Sequence, residues 1–129
     1  MADFDPAAYL DAAEYLLRGL SGARTSASDP DQALVRASIS RSYYAAFLTA
    51  RERISYLGLV ALTAGPRDHW LIVNALGGRS ARAASKLHRL RDKRNQADYN
   101  LSPSGLTLTA GRYWLALARD IVDEVNALS

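Results

Sequence analysis

Apolar and small residues near the end of this chain recur alternately three and four apart: Leu108, Gly111, Leu115, Ala118, Val122 and Val125. Successive residues of an α-helix turn by about 100°. The spacing therefore sets all six on one narrow stripe, the seam of a helix that packs lengthwise against other helices. No segment shows the sustained apolar–polar alternation of a half-buried strand, and no internal repeat is visible. The expected fold class is all-α, a four- to five-helix up-and-down antiparallel bundle. Its 129 residues suit a single domain, long enough to close one core without covalent staples.

Prolines and glycines predict the helix ends. Asp5-Pro6 and Asp29-Pro30 each set a capping acid before a proline at the first helical position. The first predicted helix spans about 6–20, with Tyr9, Ala13, Leu16, Leu17 and Leu20 as its stripe and Gly19 and Gly22 as its stop. The polar run SGARTSASDP leads to a long helix over about 30–57, where Gln32 follows Asp29 at capping-box spacing. Ala33, Ala37, Ser40, Tyr44, Phe47 and Leu48 line one face of it, and Tyr43, Ala46, Ala50 and Ile54 a second. Two packing faces place this helix inside the bundle. Gly58 to Gly65 reads as a break, with an extension of the helix through Leu59, Val60, Ala61 and Leu62 as the alternative. Pro66 opens a short helix carrying His69, Trp70, Ile72, Val73 and Leu76, which Gly77 and Gly78 stop. A fourth helix runs over about 80–99 with Ala84, Leu87, Leu90 and Ala97 apolar, and NLSPSG ends it. The fifth covers about 106–128.

The chain has no cysteine, which excludes disulfides, thiol nucleophiles and Cys-based zinc sites. Only His69 and His88 could supply imidazole ligands, so no metal and no cofactor are expected, and no phosphate-binding loop follows Gly77-Gly78. No secretory signal pattern opens the sequence, and no apolar run approaches the roughly 20 residues that span a bilayer. A cytoplasmic protein without a membrane partner is the expectation. The net charge of +3 hides an uneven distribution. Arg79, Arg82, Lys86, Arg89, Arg91, Lys93 and Arg94 stand together against a single acid, Asp92, so the rest of the chain is net acidic. A dense basic stretch of this kind favours an anionic partner. No groove-reading motif or zinc finger accompanies it, which disfavours sequence-specific DNA binding. Asp120, Asp123 and Glu124 read as a solvated helix face.

Three stretches carry a family resemblance. SRSYYAAFLTARERI in the second helix, HWLIVNAL in the third and LHRLRDKRNQADY in the fourth occur in the order in which similar stretches occur in small HEPN-domain proteins. The resemblance spans about residues 33–125 and implies an up-and-down helical bundle that forms a homodimer. Many HEPN proteins are metal-independent ribonucleases that carry an arginine and a histidine with four to six residues between them. Arg94 and Asn95 match the start of that motif, Asp98 lies within it, and Tyr99 stands where the shortest form has histidine. An arginine can bind phosphate and stabilise developing negative charge. A phenol with a pKa near ~10 is a poor general base at pH 7. The resemblance implies an RNA-directed module of a toxin–antitoxin or defence system, an endoribonuclease if a base replaces the missing histidine. Arg94, Asn95, Asp98 and Tyr99 would form its centre, and Arg89, Arg91 and Lys93 would draw in the RNA.

Small HEPN proteins also pair with minimal nucleotidyltransferases. The alternative implied is a non-catalytic partner of such an enzyme, with the Tyr99 region as a docking or nucleotidylation site; a structural bundle subunit is a third. Arg82 and His88 match the arginine–histidine spacing literally, but a six-residue step leaves them about 120° apart on a helix. Tyr43, Tyr44 and Phe47 read as core or dimer-contact residues, His69 as a helix-start or interface residue, and Asp98 as an ion-pair partner of Arg94 or Arg91.

Overall fold

Local side-chain chemistry fixes where the helices start. Ser80 Oγ accepts the Ala83 N–H at 3.1 Å and Thr107 Oγ1 accepts the Ala110 N–H at 3.1 Å, each satisfying a donor that the first turn leaves unpaired. Five helices result: α1 (Ala8–Leu17), α2 (Pro30–Tyr56), α3 (Asp68–Gly77), α4 (Ala81–Tyr99) and α5 (Leu108–Asn126). The computed structural model describes residues 3–20, 30–101 and 105–129, and no strand occurs among them. The expected cap at Asp29, the stop at Gly22 and the middle of the NLSPSG stop lie outside the described residues.

Helix α1 is shorter than expected, α3 begins at Asp68 rather than at Pro66, and the expected break after α2 is present. Asp5 Oδ1 accepts the Ala7 N–H at 2.9 Å, which makes a separate turn around Pro6, and α1 begins only at Ala8. It ends at Leu17, before the left-handed Gly19 (φ +91°). The alternative extension of α2 through Leu62 does not form. Gly58 takes a left-handed φ of +67° just past the helix, and Leu59, Val60 and Leu62 fold back against the core. The Asp68 carboxylate closes this loop by accepting from Thr63 N, Thr63 Oγ1 and Ala64 N at 2.9, 2.8 and 2.9 Å. The Thr63 amide leads these bonds in holding the Asp68 carboxyl below its ordinary range. They also hold Ala64 at φ +60°, a conformation that costs an alanine energy.

α2 is in contact with each of the other four helices. Val35 meets Gly111 near one end of α2, and Arg53 donates to the Leu128 carbonyl near the other, so α2 and α5 run the same way. α1 runs against α2: Ser38 Oγ donates to the Ala13 carbonyl at 2.8 Å, and Arg41 lies over the Tyr9 ring. α4 also runs against α2, because Arg36 near the start of α2 donates to the carbonyls of Ala97 and Asn100. The bundle is therefore up-and-down in chain order, with α2 and α5 as its touching central pair and α3 laid against α2 and α4.

All six residues of the α5 stripe are buried, as are Ala84, Leu87, Leu90 and Ala97 of α4. On α2 the second expected face, Tyr43, Ala46, Ala50 and Ile54, is buried throughout, whereas of the first only Ser40 is fully buried and Ala33 is exposed. Val35, Ser38, Ile39, Ser42, Ala45 and Thr49, outside both expected faces, are buried as well. Small polar residues occupy this face because they let neighbouring backbones approach. Gly111 shows how close: a Cβ there would sit 3.1 Å from a Leu17 methyl and 3.4 Å from a Val35 methyl.

Candidate functional site

The helical turn sorts the basic segment of α4 onto two sides. Arg91, Arg94 and Asp98 lie along one edge, with His88 at its end, and Arg89 and Lys93 lie on another. The first edge meets Tyr43 and Tyr44 of α2 and His69 and Trp70 of α3, and Phe47 of α2 stacks on His69. Here the three stretches that carry the family resemblance converge.

Arg94 is at the centre of this junction and its side chain is only 14% exposed. Its guanidinium carbon lies 4.9 Å from the Tyr43 ring centroid and 5.7 Å from that of Tyr44, within cation–π range. One terminal nitrogen stands 3.6 Å from Asp98 Oδ2, the ion pair expected from their spacing. Ser40 Oγ reaches the same carboxylate oxygen at 3.4 Å. Arg94 Nε is buried and has no hydrogen-bond partner among the described residues. A guanidinium donor without an acceptor in a desolvated place is costly, and an arriving anionic oxygen would relieve that cost.

Behind Arg94 lies His69. It is the second residue of α3, at the helix start as expected, and its side chain is buried in the core junction. Its Nδ1 is 3.0 Å from Tyr43 Oη, and its ring stacks on Phe47 at 6.1 Å. Burial, reinforced by the charges of Arg91, His88 and Arg94, pushes the His69 pKa down to about 4. Burial likewise pushes the Tyr43 hydroxyl up to about 12, although Arg94 and Arg91 pull it the other way. Both rings are therefore neutral at pH 7. The signal in the sequence was the pairing of a tyrosine-rich α2 with a histidine at the start of α3. Helical periodicity along one helix cannot show that two helices meet there.

The remaining predicted residues are dispersed. Arg91 and Asn95 are half-buried on the same side of α4 as Arg94. Tyr99 is 73% exposed at the helix end. Arg89 donates to Tyr113 Oη at 2.8 Å, and Lys93 to Gln96 Oε1 at 3.3 Å, both on the α5 side. Arg82 and His88 do not come together. Arg82 stretches towards Glu124 at 4.0 Å, while the His88 ring packs 5.4 Å from Trp70 and 6.1 Å from His69, with Nε2 3.8 Å from Asp92. Asp120 and Asp123 are exposed, and Glu124 pairs with Lys86 at 2.8 Å. Among the described residues no group of three or more His, Asp or Glu side chains is placed to hold a metal ion. No described helix is long and apolar enough to cross a membrane. The junction thus offers fixed positive charge framed by aromatic rings, an arrangement suited to binding anionic oxygen.

No family model, curated protein or solved structure matches this chain.

Proposed function

We propose that this chain is an RNA-directed helical module of the HEPN type, acting as a homodimer in a toxin–antitoxin or defence setting. In this reading it binds RNA phosphate at the α2–α3–α4 junction through Arg94, with Arg91 adding charge at the entrance. The observation that carries the proposal is the state of Arg94: a guanidinium held between two tyrosine rings, its Nε buried without an acceptor among the described residues, and its ion pair with Asp98 at 3.6 Å. The reading is of a binder rather than a cutter. His69 and Tyr43 are both held neutral by burial, and Tyr99, at the position of the family's histidine, faces solvent.

RNA retention and RNA cleavage without added metal test this together, on wild type and Arg94→Ala at about 0.15 M salt. Loss of a charged hydrogen-bonding group should weaken binding about tenfold or more, with no cleavage by either protein. Equal retention by both would show that the site is misplaced.

The exposure of Tyr99, with Leu101 beside it at the end of α4, favours a second reading. The chain would be the non-catalytic partner of a minimal nucleotidyltransferase, and the Tyr99 hydroxyl would attack the nucleotide α-phosphorus, displacing pyrophosphate. Intact mass after incubation with such an enzyme and nucleotide decides it: a nucleotidyl adduct on wild type that Tyr99→Phe lacks supports it, and the absence of any adduct rejects it.

A further inference from the structure

The second side of α4 carries a cluster that the junction does not use. Arg89 and Lys93 point towards α5, and among the described residues neither forms an ion pair. Lys86, one turn earlier, is answered by Glu124 at 2.8 Å. Neutral groups position Arg89 and Lys93 instead. Arg89 donates to Tyr113 Oη at 2.8 Å and its guanidinium lies 5.7 Å from the Trp114 ring centroid; Lys93 Nζ lies 6.0 Å from the same ring. Tyr113 and Trp114 meet edge-on, with centroids 4.9 Å apart at 84°. Trp114 packs partly against the core, while Tyr113 is 49% exposed. The cluster is therefore an anchored aromatic ring open to solvent, beside two positive charges that no acid among the described residues pairs with.

A ligand that satisfies this cluster needs negative charge and a flat apolar face close together. An acidic peptide supplies the charge and has no use for the ring. A nucleic-acid duplex supplies phosphates but keeps its bases stacked inside. An unpaired strand supplies both, because each nucleotide presents a phosphate and a base with an open face. We infer that the Arg89–Lys93–Tyr113 face of α4 and α5 is a single-strand-specific subsite for RNA, with a base stacked on Tyr113 and the adjacent phosphates on Arg89 and Lys93. The inference rests on the RNA-binding reading of the Arg94 junction and deepens it. The junction holds phosphate whatever the strand's pairing state, and this face selects unpaired strands. Asp92, on the ridge of α4 between the two clusters, lies 3.8 Å from His88 Nε2.

Fluorescence anisotropy with a short labelled oligouridylate, and with a duplex of the same length, tests the subsite. The proteins are wild type, Tyr113→Ala, Tyr113→Phe and Arg94→Ala, each first shown by thermal unfolding to be folded. Wild type should hold the single strand in preference to the duplex. Tyr113→Ala should weaken the single strand about fivefold or more and leave the duplex unchanged, the size expected for one base–aromatic stack. Tyr113→Phe keeps the ring and should bind close to wild type. If Tyr113→Ala binds the single strand as wild type does while Arg94→Ala loses it, the subsite is overturned and the junction stands. Displacement of the strand by polyglutamate as effectively as by unlabelled oligouridylate would overturn it too, marking a general anion surface. No binding of either RNA by wild type would remove both readings.

Discussion

Tyr43 and His69 hold one another where neither can take a charge cheaply. Removing the hydroxyl in Tyr43→Phe leaves His69 Nδ1 buried without its partner at 3.0 Å, and a buried polar atom so stranded costs about 1–3 kcal/mol. Urea unfolding at pH 7 should show a loss of that size. The same histidine makes stability depend on acidity. Its pKa falls from about 6.5 in the unfolded chain to about 4 in the folded one. Between those values the unfolded state takes up a proton that the folded state refuses. Stability is complete above about pH 6.5 and is lost as the pH falls towards 4. Wild type should lose roughly 2 kcal/mol between pH 7 and pH 4.5 through this group. His69→Gln should show a correspondingly shallower profile, since Asp68, whose lowered carboxyl also favours folding above the acid range, is common to both proteins. The Arg94–Asp98 pair was legible from their four-residue spacing. The partnership of Tyr43 with His69 was not, because it joins residues 26 positions apart across two helices.

At the scale of the helix, α5 was the most readable element: its three-and-four stripe is the buried seam, residue for residue. The central helix α2 was less so. Its second expected face, Tyr43, Ala46, Ala50 and Ile54, is buried throughout, but Ser38, Ser42 and Ala45, which carry little apolar signal, are buried beside it, and the first expected face strays as far as the exposed Ala33. The same close packing explains Gly111. A side chain there would enter the space held by Leu17 and Val35. Gly111→Leu should destabilise by about 1–3 kcal/mol through overpacking, outweighing the ~1 kcal/mol that leaving glycine gains for the helix. A lowered denaturation midpoint, relative to an exposed glycine-free control such as Ala116→Leu on the same helix, is the measurement.

Across the whole molecule, charge is arranged around α4 as an axis. One set of cations, Arg91 and Arg94, faces α2 and α3; the other, Arg89 and Lys93, faces α5. The charge count located the basic segment, and the rotation of the helix, which a count ignores, divided it. If RNA binds the bundle, the dependence of log affinity on log salt should be shallower by about one for Arg91→Ala than for wild type, a slope measurable by anisotropy across a salt series. The central pairing of α2 with α5 has a further consequence, in time rather than in space. The ribosome delivers α2 early and α5 last of the five. Until α5 emerges, the face of α2 that α5 covers stays wet, and Val35 waits for a partner 76 residues downstream at Gly111. A growing chain that has reached α4 thus exposes an unfinished apolar seam to whatever binds nascent polypeptides, and the bundle can close only when its final helix is free to dock.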